Sequence, residues 1–455
     1  MKLVYGVKDK PGFGKLLIFA LQQLLAIMTA TLVVPVIING ACGTEMSSAA
    51  ALFGAGIGTI IYVFITKFRS PVFLGSSFAF INSMIAAVAG ATSMALGYLG
   101  LIIGAGMAGL VYVIIAIIVK CAGVKWLNKV MPPVVIGPTV AIIGLSLAGN
   151  AVGDMSKGSI DGVATSPLIT ILCGVVTLLV TIVSSTYGKK MGKLIPFIFG
   201  ILSGYAVAGI FTFIGYKTNL EALMVLNTAP FEALVANGGI TLATFLSVPD
   251  FTFLTAVNGI EEVTLTYIGT LAMAYIPVAF VVFAEHIADH KNISSIIEKD
   301  LLTDPGLHRT LLGDGIGSMA GAVFGGCPNT TYGESVGCVA ITRNASIYTI
   351  ITAAVMAMAV SFVSPFIAFV NSIPSCVMGG VCMALYGFIA VSGLKMVQKV
   401  NLNKNKNLFV VSTILIAGIG GLTLNFGEIT ITPVACALIL GILVNIVVSK
   451  AKNAE

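Results

Sequence analysis

The stretch Gly325-Gly326-Cys327-Pro328-Asn329-Thr330-Thr331-Tyr332-Gly333-Glu334 interrupts an apolar run, and Pro71-Val72-Phe73-Leu74-Gly75-Ser76-Ser77-Phe78-Ala79-Phe80 interrupts an earlier one. Each holds a proline, then two hydroxyl residues, an aromatic and a small residue: Ser76-Ser77-Phe78-Ala79 against Thr330-Thr331-Tyr332-Gly333. Proline removes a backbone donor, and Gly, Ser and Thr favour non-helical backbone. Both stretches therefore predict a break in a helix. Whether such breaks are loops or sites depends on the solvent around them.

That solvent follows from composition. Of 455 residues, 24 are Lys or Arg and 18 are Asp or Glu, so 9% are charged, while 57% are apolar. Ordinary soluble domains carry about 25% charge. The surface of a soluble enzyme, a nucleic-acid binder or a disordered chain cannot be built from this composition, and the bilayer must be the solvent for most of it. Extended backbone at membrane depth is tolerated only when buried in protein or lining a cavity, where a polar ligand can use its N–H and C=O groups. The helix after each break turns its positive end toward the same place.

Apolar stretches of spanning length recur near 14–39, 47–66, 72–88, 95–119, 127–148, 166–186, 194–215, 264–286, 310–326, 328–342, 346–370, 374–394, 407–424 and 430–449. The first follows a short basic tail, has no small-residue cleavage site, and reads as a spanning helix rather than a signal peptide. The positive-inside rule tests this count of 14. With a cytoplasmic N-terminus, 22 of the 24 basic residues fall inside, and only Lys157 and Lys217 fall outside. Outside loops hold Glu45, Asp154, Asp161, Glu221, Glu232, Asp250, Glu261, Glu262 and Glu428. This sidedness accounts for the net charge of +6 without a nucleic-acid partner. Dropping one broken span would invert every later loop.

The organisation expected is a cytoplasmic tail (1–13), a first repeat (14–215), an outside connection (216–263), a second repeat (264–449) and a cytoplasmic tail (450–455). Seven spans per half put the halves in opposite orientation, the layout of an inverted-repeat transporter, and the broken segments are the third span of each half. No Walker sequence is present, so ATP is not expected to drive it directly.

Acids inside spans are costly and mark function. Glu285 ends the apolar run Tyr275–Ala284, Asp289 lies one turn on, and Glu334 follows the second break. Asp314 is read as ambiguous, near the cytoplasmic end of its span. All three histidines, His286, His290 and His308, fall in one window. His290 and His308 read as solvated loop residues where span 8 leaves the bilayer, with His286 a packing residue or a neighbour in a proton network. The eight cysteines show no CxxC spacing and read as small buried hydrophobes. No metal, cofactor or enzymatic constellation is expected.

At these residues the chain resembles the nucleobase/ascorbate transporter family, in its bacterial uracil permease branch. The motifs are Leu21-Gln22-Gln23-Leu24-Leu25-Ala26 with Ala30-Thr31-Leu32-Val33-Val34-Pro35, Leu74–Phe80, Ala284-Glu285-His286, Asp304-Pro305-Gly306-Leu307-His308-Arg309, and Pro328–Gly337 running into Ala340-Ile341-Thr342-Arg343. The resemblance implies an all-α polytopic fold, with two short antiparallel strands in the broken segments. It implies a core domain of spans 1–4 and 8–11 and a gate domain of spans 5–7 and 12–14. Glu285 and Glu334 would bind the base, backbone N–H groups of Phe78, Gly333 and Glu334 would meet its oxygens, and Ala30, Ser77, Tyr332 and Tyr386 would line the pocket. Proton coupling would involve Glu285, Asp289 and His286. It further implies a prokaryotic plasma membrane and a homodimer formed through the gate domain, with lipid around it.

Some uracil permeases carry His at the positions of Asp289 and Gln23, and xanthine and urate members usually carry Gln at that of Glu334. Glu334 beside Tyr332-Gly333 thus favours uracil over a purine. The chemistry agrees. Uracil alternates N–H donors with C=O acceptors, two carboxyl groups can accept its N–H bonds, and charge-assisted bonds in a dry pocket are strong. A carboxylate taken out of water tends to hold its proton, which would link proton and substrate binding. The alternatives are a xanthine or purine carrier, and an anion transporter of the same architecture, which would use the two helix N-termini and need no acids.

Overall fold

The computed structural model describes all residues except 1–2, 124–131, 161–162, 190, 237–238, 427–428 and 450–455. Lys2, Lys125, Lys129, Asp161, Lys190, Glu428, Lys450 and Lys452, the start of the expected fifth span and the C-terminal tail lie outside the described residues. The chain is mostly helical. In the first half α1 (Phe13–Cys42) and α2 (Ser48–Ile65) lead to strand β1 (Leu74–Ser76) and helix α3 (Ile81–Ala89). Then come α4 (Met94–Ala122), α5 (Pro133–Ser146), α6 (Pro167–Tyr187) and α7 (Pro196–Thr218). After a connection of short helical turns the second half holds α8 (Leu265–Ile297), α9 (Leu307–Gly325), strand β2 (Asn329–Thr331) and α10 (Gly333–Thr342), then α11 (Ile347–Val360), α12 (Ser375–Val397), α13 (Asn405–Ile419) and α14 (Pro433–Ser449).

Local sequence explains the helix starts. Ser47, Ser93 and Thr264 each accept a backbone N–H of the first turn of α2, α4 and α8, the usual N-cap arrangement. Helices α5, α6 and α7 begin on proline, where the missing N–H costs nothing. Among the described residues eight helices are long and apolar enough to cross a membrane, so this is a multi-pass membrane protein. Of the remaining expected spans, α9 is long enough but less apolar, and the others are shorter or interrupted. Span 11 is two helices, Ile347–Val360 and Ser364–Asn371. The expected end of span 8 at 286 is corrected, because α8 continues as one helix to Ile297. Apolar residues keep returning to its buried face after the polar cluster (Ile293 and Ile297), and that carries the helix on.

Two helices are pressed together at the centre. A Cβ on Gly54 of α2 would collide with the Gly321 carbonyl of α9, and one on Gly58 with that of Gly317. Small residues at such contacts let backbones approach in lipid, where no hydrophobic effect drives association. Helices α2, α4, α9 and α11 pack into one group, while α12 packs with α5 and α6, and α6 with α7, in another.

Candidate functional site

The two quoted stretches meet. Strands β1 and β2 pair antiparallel, with Leu74 opposite Thr331, Gly75 opposite Thr330 and Ser76 opposite Asn329. The ladder is extended at both ends: Tyr332 N–H donates to the Phe73 carbonyl at 3.2 Å, and Ser77 N–H to that of Pro328 at 2.9 Å. Side chains lock the crossing. Tyr332 donates its hydroxyl to the Ser76 carbonyl at 2.6 Å, and Asn329 its amide to the Gly54 carbonyl at 3.0 Å. The Ser335 hydroxyl accepts from the Phe73 N–H at 2.9 Å and from the Gln23 amide. These bonds satisfy buried polar groups that a low-dielectric interior would otherwise penalise.

Immediately after each strand a helical turn starts, Phe78–Phe80 in one case and α10 at Gly333 in the other. The first N–H groups of a helix have no partner within it. Both starts face a cavity of about 430 Å3, lined by Ser77, Phe78 and Ala79 on one side and by Thr330 through Glu334 on another. Helix α8 contributes Glu285, Ala288, Asp289 and Asn292, and α12 contributes Leu385, Phe388, Ile389, Ser392 and Met396. The α8 spacing of three and four puts its residues on one face. Val140 of α5 and Phe197 of α7 close the remaining wall. Three carboxyl groups and two helix starts thus meet in one space whose lining mixes apolar side chains with hydroxyl and amide groups, the composition of a site for a small polar ring. Glu285, Asp289 and Glu334 are only half-buried, because each faces the cavity. Asp289 accepts a 3.1 Å hydrogen bond from the Thr331 hydroxyl.

Of the residues read from sequence, Glu285, Asp289, Glu334, Phe78, Ser77, Tyr332 and Gly333 line this cavity. Three others lie elsewhere. Ala30 is buried in α1. Tyr386 stands behind the lining, its ring edge-on to that of Phe78 at 6.2 Å. His286 is fully buried on the far side of α8, bonded to Asp314 at 2.6 Å and Thr310 at 3.0 Å. The solvated reading of His290 is corrected: it is 0% exposed, bonded to the Tyr62 hydroxyl at 2.7 Å and the His286 carbonyl at 2.8 Å. The continuing helix carries it inward. Asp314, left ambiguous, is also wholly buried. Sequence reasoning missed Asn292, Phe197 and Phe388. Asn292 had a signal, since it lies two turns beyond Glu285 on the same face, whereas no pattern marks the two aromatics. Six of the eight cysteines are buried; Cys42 is partly exposed and Cys121 exposed.

A family profile described as a permease family matches residues 14–426. The uracil permease of Bacillus caldolyticus is 38% identical over 450 residues, which cover 98% of this chain and 95% of that protein. The uracil permease of Escherichia coli strain K12 is 35% identical over 439 residues, covering 96% and 92%. Among solved structures, the transmembrane domain of the cyanobacterium bicarbonate transporter BicA superimposes with a TM-score of 0.60 at 14% identity, over 97% of this chain and 100% of that one. That likeness is one of fold.

Proposed function

The chain belongs to the permease family of these relatives, the nucleobase/ascorbate transporters, and from that premise we propose that it imports uracil by proton symport through alternating access. The observation that carries this reading is the convergence of Glu285 and Glu334 with the two helix starts in one cavity. The carboxyl groups accept the ring N–H groups, and the backbone N–H groups of Phe78, Gly333 and Glu334 donate to its oxygens. Ser77 and Tyr332 complete the wall. An analogue that leaves one of these buried groups unpaired is rejected. An anion is disfavoured by three carboxyl groups in the same space, although BicA shares the fold.

The same reading assigns the architecture. Fourteen spans form two inverted repeats of seven, the group around α2, α4 and α9 is the core, and the group around α12 is the gate. The cavity lies between them, with Val140, Phe197 and Phe388 as its gate-side wall. On α8 and α12 it runs from Glu285 and Leu385 toward the C-terminal ends, which charge placement puts in the cytoplasm. The structure thus corresponds to an inward-open state. On the other side Phe78 rests against Tyr386, and the Asn82 amide donates to the Ser146 hydroxyl at 3.2 Å; these contacts form the outer closure. The transported proton is carried by Glu285 and Asp289.

Radiolabelled uptake in cells lacking their own uracil permease tests the function. Uracil accumulation that excess xanthine does not compete away is expected. Absence of uracil uptake across the pH range would refute it, and xanthine uptake in its place would favour the purine reading.

A further inference from the structure

A second cavity, of about 140 Å3, lies between α1, α10 and the start of α7. Glu334, Gly337, Cys338 and Ile341 form its α10 wall, and their spacing of three and four puts them on one side of the helix. That wall runs two turns from Glu334, about 10 Å along the axis. A Cβ on Gly337 would meet no atom within 4 Å, so this part of the wall borders open space rather than packed side chains. Lys193 lines the opposite wall and is exposed. An ammonium group left without a partner needs water, and charge placement puts this one on the cytoplasmic side.

Glu334 and Phe197 line both this side cavity and the main one, so they form the partition between them. At about 10–15 Å3 of such volume per water molecule, the side cavity has room for several, and Glu334, Thr29 and Lys193 offer them polar partners. Helix α10 packs mainly against α1, α8 and the short turn Met191–Leu194. Of these, α8 brings Glu285 and Asp289 to the main cavity, the turn brings Lys193 to the side cavity, and α1 brings no titratable group to either. On the chain around Glu334, Tyr332 is committed to the Ser76 carbonyl, and Cys338 stands one turn on. A base seated against Glu285 and Glu334 covers the faces these acids turn to the main cavity. Among the three carboxyl groups only Glu334 also borders the side cavity.

We propose that the side cavity is the water path through which Glu334 passes a proton to the cytoplasm while a nucleobase still fills the main cavity. The proton moves from the carboxyl group to a water molecule of the path, leaves past Lys193, and Glu334 remains as a carboxylate. Glu285 and Asp289 carry the proton across the membrane, and Glu334 is its exit. Proton release then need not wait for the base to depart. The proposal rests on the uracil–proton reading above.

Cys338 is buried in protein, so a charged reagent reaches it only along a path open to water. Purified native protein is treated with methanethiosulfonate-ethylammonium, with and without saturating uracil, and the labelling of each cysteine is followed by mass spectrometry. Cys338 should label at rates within about twofold in the two conditions. No labelling without uracil, or a slowing of about tenfold or more with it, would overturn the proposal. Gly337→Leu fills the path, because its side chain grows into the open space, while Gly337→Ala is too small to do so. The Leu variant should exchange uracil at close to the parent rate, since exchange moves no net proton, and its proton-driven accumulation should slow about fivefold or more; the Ala variant should match the parent. A Leu variant that accumulates uracil at the parent rate, or whose exchange slows as much as its accumulation, would overturn the proposal. One that fails to fold would contradict the open space itself. Failure of the parent protein to take up uracil would instead refute the function, and Cys338 labelling without substrate would still judge whether the path is open to water.

Discussion

In the first half of the chain, β1 runs into Phe78 and Ala79, and the Leu74 N–H is met by the hydroxyl of Thr59. In the second half, β2 runs into Gly333 and Glu334, and the Thr331 hydroxyl donates to the carboxylate of Asp289 at 3.1 Å. The backbones match, while the acids do not. Glu285, Asp289, Asp314 and Glu334 all belong to the second half. The first half supplies a hydroxyl-bearing and apolar frame, and the second supplies the charge that a donor-rich ring or a proton would need. Two halves with matching broken segments thus contribute differently, one framing the cavity and the other supplying its carboxyl groups.

The largest expected effect comes from removing that charge. Glu285→Gln should abolish proton-driven uracil accumulation. It should also weaken binding roughly ten- to hundredfold, since a hydrogen bond to a charged group contributes about 1.5–3 kcal/mol. Uptake kinetics at several pH values measure both, and a variant with the parent's accumulation and pH dependence would break the assignment.

The two glycines of the broken segments sharpen the comparison. A Cβ on Gly75 would run into the Tyr332 ring and the Thr31 hydroxyl, whereas the nearest atom to one on Gly333 is Asp289 Oδ1 at 3.8 Å. Gly75→Ala should destabilise by about 1–3 kcal/mol, the usual cost of overpacking. Gly333→Ala should leave the melting temperature in place and instead raise KM, because its methyl enters the cavity. Equal melting shifts in the two variants would contradict the division of labour.

Ser335→Ala probes the join between the halves. It strips the acceptor from the Phe73 N–H and the Gln23 amide, and leaving a buried donor unmet costs about 1–3 kcal/mol. Thermal unfolding in detergent should show a loss within that range, since the two groups left behind are both donors and cannot satisfy each other.

The smallest effect lies at the connection between the two halves. The Glu262 carboxylate accepts from the Thr92 and Ser93 hydroxyls at 2.7 and 2.8 Å, which holds its pKa below the ordinary carboxylate value. Its contribution is therefore present above the ordinary value and lost as pH falls through the depressed one. Glu262→Gln should lower the melting temperature only slightly at neutral pH, and the gap to the parent should close in acid. A gap that widens on acidification would refute the sign.

Much of the site could be read from the sequence because its chemistry is local. Two breaks with matching residue types, and acids at the ends of apolar runs, are visible without coordinates, and seven of the ten residues named in advance line the cavity. The misses share a physical cause. The polarity of His290 suggested water, but it is satisfied by a partner far along the chain, Tyr62, which no window of neighbouring residues contains. The wall opposite the acids was hidden for another reason, since Phe197 and Phe388 look like any lipid-facing aromatic until the helices are packed. Helix α8 was cut short because a polar cluster mimics a membrane exit when the groups that bury it cannot be seen.

The central claim is that this cavity couples a nucleobase to a proton, and purified protein in sealed vesicles with an imposed pH gradient tests it most directly. Uracil should accumulate above its external concentration while the outside is acidic, and the Glu285→Gln variant should fail to accumulate it. Uracil entry that ignores the gradient, or no uracil entry by a folded protein, would contradict the account.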